Sequence, residues 1–268
     1  ITLFTIPTPA PDAEQGVLGP DGNVWFVERD AGKVGRITPQ GAITEYALPT
    51  QQSNPTDITV GPDGNLWCAE MSANKLARIT PQGAITEYAL PTADSQPYQL
   101  LVGPDHALWF LESGGSGVPA LGGDGIGKIG RVAPDGSIAE YPTPTVTSRP
   151  RMLTTGPDGN LWFTEEAGNA IGRVTPGGPA VGGRITEFPV PSAGSEPLAI
   201  TSGPDGNLWF TESAAYHGSK LGRITPQGTI TEVPLPANTS TPSAIIVGPD
   251  HTLWFTEMGH NTVGRLVP

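Results

Sequence analysis

Short apolar stretches, each closed by glycine, proline or a small polar residue, follow one another along the whole chain. In one representative segment, Thr56 to Val60 is mostly apolar and stops at Gly61-Pro62-Asp63-Gly64. Proline presets the second position of a type I turn, aspartate suits the third, and glycine accepts the positive φ that follows. Leu66-Trp67-Cys68-Ala69 is apolar at consecutive positions, the pattern of a strand covered on both faces. Leu76-Ala77-Arg78-Ile79 follows, then a Pro81-Gln82-Gly83 turn. Ala84 to Leu90 alternates apolar and polar with period two, as a half-exposed strand does. The segment predicts four antiparallel strands, here called A to D.

The same phrase recurs. Gly-Pro-Asp begins at Gly19, Gly61, Gly103, Gly156, Gly203 and Gly248, at spacings of 42, 42, 53, 47 and 45 residues. All six tryptophans (Trp25, Trp67, Trp109, Trp162, Trp209, Trp254) hold one place in it. A period of this length built from short strands predicts an all-β fold, a six-bladed β-propeller of four-stranded antiparallel blades forming a single domain over residues 1–268. The last repeat stops after its C strand, at Val263 to Pro268, while Ile1 to Pro7 has the D pattern. The N-terminal strand is therefore expected to complete the sixth blade and close the ring, covering an open sheet edge.

Composition narrows the partners. A net charge of −12 is ill suited to a phosphate backbone, so nucleic acid is not an expected partner. No apolar run is long enough to span a membrane as a helix. Cys68 is the one cysteine, which excludes an internal disulfide; it stands where other repeats have phenylalanine and reads as a small buried thiol. The chain opens directly in repeat material. A trimmed, secreted mature form is the expectation, with a cytoplasmic protein as the alternative, and a monomer in either case.

Features shared by every repeat are expected to serve the fold. These include an arginine in each strand C (Arg36, Arg78, Arg131, Arg173, Arg223, Arg265) and a glutamate ending each strand B (Glu28, Glu70, Glu112, Glu165, Glu212, Glu257). Both rings are read as blade-to-blade hydrogen bonding and Trp–Arg stacking. What differs between repeats is more informative. The residues that open strand A are Glu14, Thr56, Tyr98, Arg151, Leu198 and Ser243, backed by Gln15, Asp57, Gln99 and Met152, with Arg149 leading into the fourth repeat. They predict a polar ligand site at the channel mouth for a small molecule or peptide. The B–C connections on that face are irregular: the one from Ser113 to Gly125 is long enough for a lid, another carries Tyr216 and His217, and the last carries His260. His106 and His251 replace the glycine of the turn and read as structural. No histidine pair has zinc spacing; a divalent cation, Mg²⁺ or Ca²⁺, held by Glu14, Asp57 and the glutamate ring is the remaining metal reading.

The phrase Gly-Pro-Asp-Gly-Asn-Leu-Trp-Phe-Thr-Glu, followed by Leu-Gly-Arg-Ile-Thr and Ile-Thr-Glu, resembles the virginiamycin B lyase family over the whole chain. The resemblance implies a Mg²⁺-dependent propeller that opens a cyclic depsipeptide antibiotic by eliminating across its ester C–O bond. It also implies seven blades, catalytic histidines in Pro-His-x-Ile segments opening strand A, and a glutamate after the last Trp-Phe. Here the matching segments read Pro55-Thr56-Asp57-Ile58, Pro97-Tyr98-Gln99-Leu100, Pro150-Arg151-Met152-Leu153, Pro197-Leu198-Ala199-Ile200 and Pro242-Ser243-Ala244-Ile245, without histidine. Glu257 is the nearest glutamate match. Two functions follow as alternatives. One is a carbon–oxygen lyase with Glu14, Glu257 or His260 near the transferred proton and Arg151 stabilising the anion. The other is a binding or scaffold propeller without chemistry, holding a peptide, glycan or small molecule.

Overall fold

Each Gly-Pro-Asp turn is tied to the tryptophan that follows it. In the second repeat Asp63 accepts the Asn65 backbone N–H at 3.2 Å and the Trp67 indole N–H at 3.1 Å. The same aspartate-to-indole bond is made in the first, fourth and fifth repeats at 3.0–3.1 Å. The turn therefore fixes the ring that fills the space between sheets. Gly64 takes φ of 71°, while His106 and His251 hold the equivalent left-handed conformation at 55° and 56°. Both histidines accept about 1 kcal/mol or more of backbone strain for a place in the turn.

The structure is a computed structural model describing residues 1–115, 125–133, 135–176, 184–214, 219–236 and 241–268. Its strands form six consecutive antiparallel sheets, the blades of a six-bladed β-propeller. Five have four strands in the order A-B-C-D. In the fourth these are Pro150–Thr155, Leu161–Glu165, Ala170–Thr175 and Arg184–Pro189. The chain divides into two compact units, Ile1–Val102 with His106–Glu140 and Gly103–Asp105 with Tyr141–Pro268.

Within each unit, the tryptophan of one blade packs on strands A and B of the next. In the first unit Trp25 joins Ile58, Leu66 and Cys68, and Trp67 joins Leu100, Leu108 and Phe110. In the second unit Trp162 joins Ile200, Leu208 and Phe210, and Trp209 joins Ile245, Leu253 and Phe255.

A polar latch links the D strands of the first five blades in succession. The residue after one D strand donates both its backbone N–H and its hydroxyl to the glutamate in the next D strand. Thr50 does so to Glu87, Thr92 to Glu140, Thr145 to Glu187 and Ser192 to Glu232. Two charge-assisted bonds on one carboxylate fix the register of neighbouring blades.

The expected closing strand is not formed. The sixth sheet has three strands, Pro242–Val247, Leu253–Glu257 and Thr262–Leu266, and residues 1–12 lie in no strand. The N-terminal segment instead contacts the first blade as each D strand contacts the blade after it, without a sheet of its own. Thr8 makes the latch to Glu45 at 2.8 and 2.9 Å, Lys33 donates to Thr8, and the Phe4 ring lies against Gly41. The segment carries the end of a D pattern, and the latch belonging to that end holds it.

Candidate functional site

A bulge at the start of each strand A aims the residues that differ between repeats. In the fourth blade Pro150 pairs with Glu165 and Leu153 with Phe163, so Arg151 and Met152 together oppose one residue. Equivalent register shifts occur in the other blades. Such bulges redirect side chains from the pleat.

Of the residues expected at the channel mouth, Glu14, Asp57, Tyr98 and Gln99 belong to the first unit. Glu14 is paired with Arg29 at 3.0 Å, and Arg29 also donates to Asn54 at 2.7 Å. Asp57 accepts the backbone N–H groups of Ile58 and Leu100 at 2.9 and 2.7 Å, joining the second and third A strands. Burial pushes its carboxyl up to about 6 against those two bonds. The Tyr98 side chain is exposed, its carbonyl accepts the Thr56 hydroxyl, and Gln99 is half-buried.

Arg149, Arg151, Glu257 and His260 belong to the second unit. Arg151 donates to Glu166 at 2.6 Å, and Arg149 lies 3.7 Å from the same carboxylate. Glu257 accepts the Thr262 hydroxyl at 2.5 Å, and His260 is exposed in the turn that follows. Tyr216, His217 and residues 116–124 of the expected lid lie outside the described residues.

Glu14, one of the expected bases, and Arg151, the expected anion stabiliser, are thus each ion-paired within their own blade. Sequence reasoning missed the partners, Arg29 and Glu166, although the signal was present. The position after the strand-B glutamate reads Arg29, Met71, Ser113, Glu166, Ser213 and Met258. It carries a charge in the two blades where strand A opens with the opposite one.

The two rings divide their roles differently from expectation. Arginines do stack on tryptophan: Arg36, Arg131, Arg173 and Arg265 lie 5.4–5.7 Å from the indole centroids. Arg36 and Arg173 also reach across to the carbonyls of Pro81 and Pro226. The paired blade-to-blade bonds of the latch are made by the strand-D glutamates. Glu28, Glu70 and Glu165 are fully buried. Burial, with the nearby strand-D carboxylate, raises Glu28 and Glu70 to about 7. It raises Glu165 to about 9, facing Glu187. Strand C supplies Lys33 and Lys75 beside the first two but Ala170 beside Glu165. Absence of that lysine leaves Glu165 the most strongly protonated.

A pH dependence follows. Groups whose folded pKa is raised favour the folded state fully below the unfolded value near 4.5, and that contribution is lost as pH rises towards 7, or 9 for Glu165. Glu45 and Glu87 act in the opposite window. Burial opposes their ionisation, but lysine and threonine donors hold them below the ordinary value, so their contribution is lost in more acidic solution. Thermal stability should therefore be greatest near pH 5 and fall towards pH 9. Glu165→Gln should flatten the alkaline part of the curve. Melting curves across that range check both statements; an unchanged slope in the variant would contradict the assignment.

Among the described residues no three of His, Cys, Asp and Glu converge to hold a metal. Glu14 is committed to Arg29 and both Asp57 oxygens to backbone N–H groups. These residues do not suit Mg²⁺, and no chemical step is assigned to one.

The virginiamycin B lyase family model matches residues 1–126 and 124–268. The chain belongs to the virginiamycin B lyase family. It is 41% identical to virginiamycin B lyase from Staphylococcus aureus, with a TM-score of 0.80, covering 97% of this chain and 82% of that one. A streptogramin B lyase structure is 36% identical, with a TM-score of 0.79, over 98% of this chain and 82% of the other. A catalytically inactive H270A form of the S. aureus lyase, with quinupristin, is 39% identical over 98% of this chain and 83% of that one, with a TM-score of 0.79. Among curated protein sequences none matches significantly. No helix of the described residues is long and apolar enough to cross a membrane. Membership of this family accounts for the blade phrase, while the ion pairs at strand A are features of this chain's own residues.

Proposed function

We propose that this member of the virginiamycin B lyase family binds a cyclic-peptide-class ligand through its strand-A residues and does not catalyse eliminative ring opening. The observation that carries this reading is the pairing of Glu14 with Arg29 and Arg151 with Glu166. The Glu14 carboxylate is occupied by the Arg29 guanidinium, which a substrate would have to displace to reach it. No strand A opens with a histidine that could replace it. The inactive histidine-to-alanine lyase described with quinupristin supports the idea that this scaffold holds a ligand when a histidine is removed. Exposed Tyr98 offers an aromatic face for such a ligand.

The lyase reading is favoured by one observation. Glu257, unlike the buried strand-B glutamates, is partly exposed. The two readings separate in one experiment that pairs calorimetric titration with quinupristin and chromatographic analysis of the same mixture for a ring-opened product, with Mg²⁺ present. Saturable binding without product is the expected result. Turnover abolished by Glu257→Ala would establish the lyase instead, and absence of binding would remove the proposed ligand class.

A further inference from the structure

In the first blade Arg36 caps a stacked aromatic pair. Its guanidinium carbon lies 5.6 Å from the Trp25 centroid and 5.7 Å from that of Tyr46, and it donates to the Pro81 carbonyl of the next blade at 3.3 Å. Arg173 does the same over Trp162 and Phe188, at 5.4 and 5.3 Å, and donates to Pro226 at 2.9 Å. The second blade keeps the pair, with Trp67 and Tyr88 stacked at 5.3 Å. Its arginine is turned aside, as Arg223 of the fifth blade is onto Asp205 at 2.8 Å. Arg78 turns its Nε onto Asp63 at 2.6 Å, in its own blade.

The next blade's turn has changed as well. In the first, second and fifth blades the C–D turn begins with a threonine whose hydroxyl accepts the backbone N–H four residues on: Thr38 from Ala42, Thr80 from Ala84, Thr225 from Thr229. The third blade has Ala133 there, and Asp135 takes over, accepting the Ser137 N–H at 3.0 Å and its hydroxyl at 2.6 Å. The altered turn stands away from its neighbour. A Cβ built on Gly83 would fall 2.0 Å from the Tyr46 ring, whereas one on Gly136 would be 3.9 Å from Tyr88. The space left is a cavity of about 250 Å³ lined by Trp67, Tyr88, Arg78, Asp63, Leu108 and Asp135.

We propose that this cavity binds a guanidinium or similar planar cation, seated over Trp67 and Tyr88 where the first and fourth blades place their own arginine. The two carboxylates outnumber the one arginine in its wall, so the cavity retains a net negative charge. Ring faces attract cations by their quadrupole. The guanidinium belongs either to a small molecule or to an arginine of a peptide.

The test follows the indole N–H resonance of Trp67 in the full chain. It is titrated with methylguanidinium, with neutral methylurea, and with a short arginine-containing peptide. Methylguanidinium or the peptide should shift the resonance saturably and methylurea should not; a response to the peptide alone assigns the source to a peptide arginine. Tyr88→Leu should weaken binding about tenfold, the effect of losing one cation–aromatic contact, while Tyr88→Phe should retain it. Ala133→Thr with Asp135→Gln, which restores the sibling turn, should close the cavity and abolish the shift. Asp135→Asn should weaken binding in a chain that keeps the cavity. Equal response to methylurea, no response to any cation, or undiminished binding in the restored turn would overturn the proposal.

Discussion

Trp162→Ala should destabilise the protein by about 3–5 kcal/mol, the range for truncating a fully buried aromatic. The indole has no exposed surface. Its ring stacks on Phe188 at 5.5 Å, lies beneath the Arg173 guanidinium, and packs on Ile200, Leu208 and Phe210 of the following blade. Its N–H is held by Asp158 at 3.0 Å. Alanine would open a cavity between two sheets and remove the donor satisfying the turn aspartate, and neither flanking strand is free to collapse inward. Trp254 provides an internal control. It occupies the same place in the sixth repeat but is 36% exposed, and its indole bond to Asp250 is long at 3.4 Å. Trp254→Ala should therefore cost appreciably less. Denaturant unfolding of the two variants makes the comparison. A Trp162→Ala loss below about 1 kcal/mol, or equal losses at both positions, would show that the blade junction does not carry the stability assigned to it.

These tryptophans show why the fold was legible in the sequence. Each blade repeats its turn, its indole and its strand-C arginine, so one reading of Gly61 to Leu90 predicts every other repeat. Local signals sufficed because the aspartate, the turn and the ring lie within a few residues of one another. The closing strand was misjudged for a related reason. Ile1 to Pro7 has a D-strand alternation, but alternation does not specify a partner, and the bonds this end of the chain makes are those of Thr8 to Glu45, 37 positions away. The latch itself could have been found, since Pro-Thr or Pro-Ser precedes each of the first five repeats, and each of these ends in Ile-Thr-Glu or, in the third, Ile-Ala-Glu.

The candidate site was only half legible, because charges were counted and not paired. Glu14 and Arg151 were recognised as departures from the repeat, yet Arg29 and Glu166 depart in the same two blades. Comparing two columns of the repeat, and not one, would have revealed ion pairs where a base and an anion stabiliser were expected. Similarly, Arg78 is indistinguishable from Arg36 in sequence. Its partner is the turn aspartate Asp63, as Asp205 is for Arg223, and nothing in its own repeat distinguishes it from Arg36.

Comparing columns also explains Cys68. Five blades place a phenylalanine on strand B above a strand-C glycine with which it pairs: Phe26 over Gly35, Phe110 over Gly130, Phe163 over Gly172, Phe210 over Gly222 and Phe255 over Gly264. In each, a Cβ on the glycine would lie 2.0–2.2 Å from the ring. The second blade pairs Cys68 with Ala77, and both are fully buried. The smaller side chain on one strand is compensated by a methyl group on the other. Cys68→Phe alone should thus drive the ring into the Ala77 methyl and cost about 3 kcal/mol, at the upper end for overpacking a core. Ala77→Gly alone should cost about 1–2 kcal/mol, from the lost methyl and the added backbone freedom of glycine in a strand. Together they restore the pair used by the other blades, and the double variant should lie within about 1 kcal/mol of the parent. The coupling between the two sites should then be about 3 kcal/mol or more, as for residues in direct contact. Unfolding free energies of the four proteins complete the cycle. Additive losses would mean that neighbours in the second blade have already occupied the space the ring requires, and that the Cys68–Ala77 exchange is not a local volume trade.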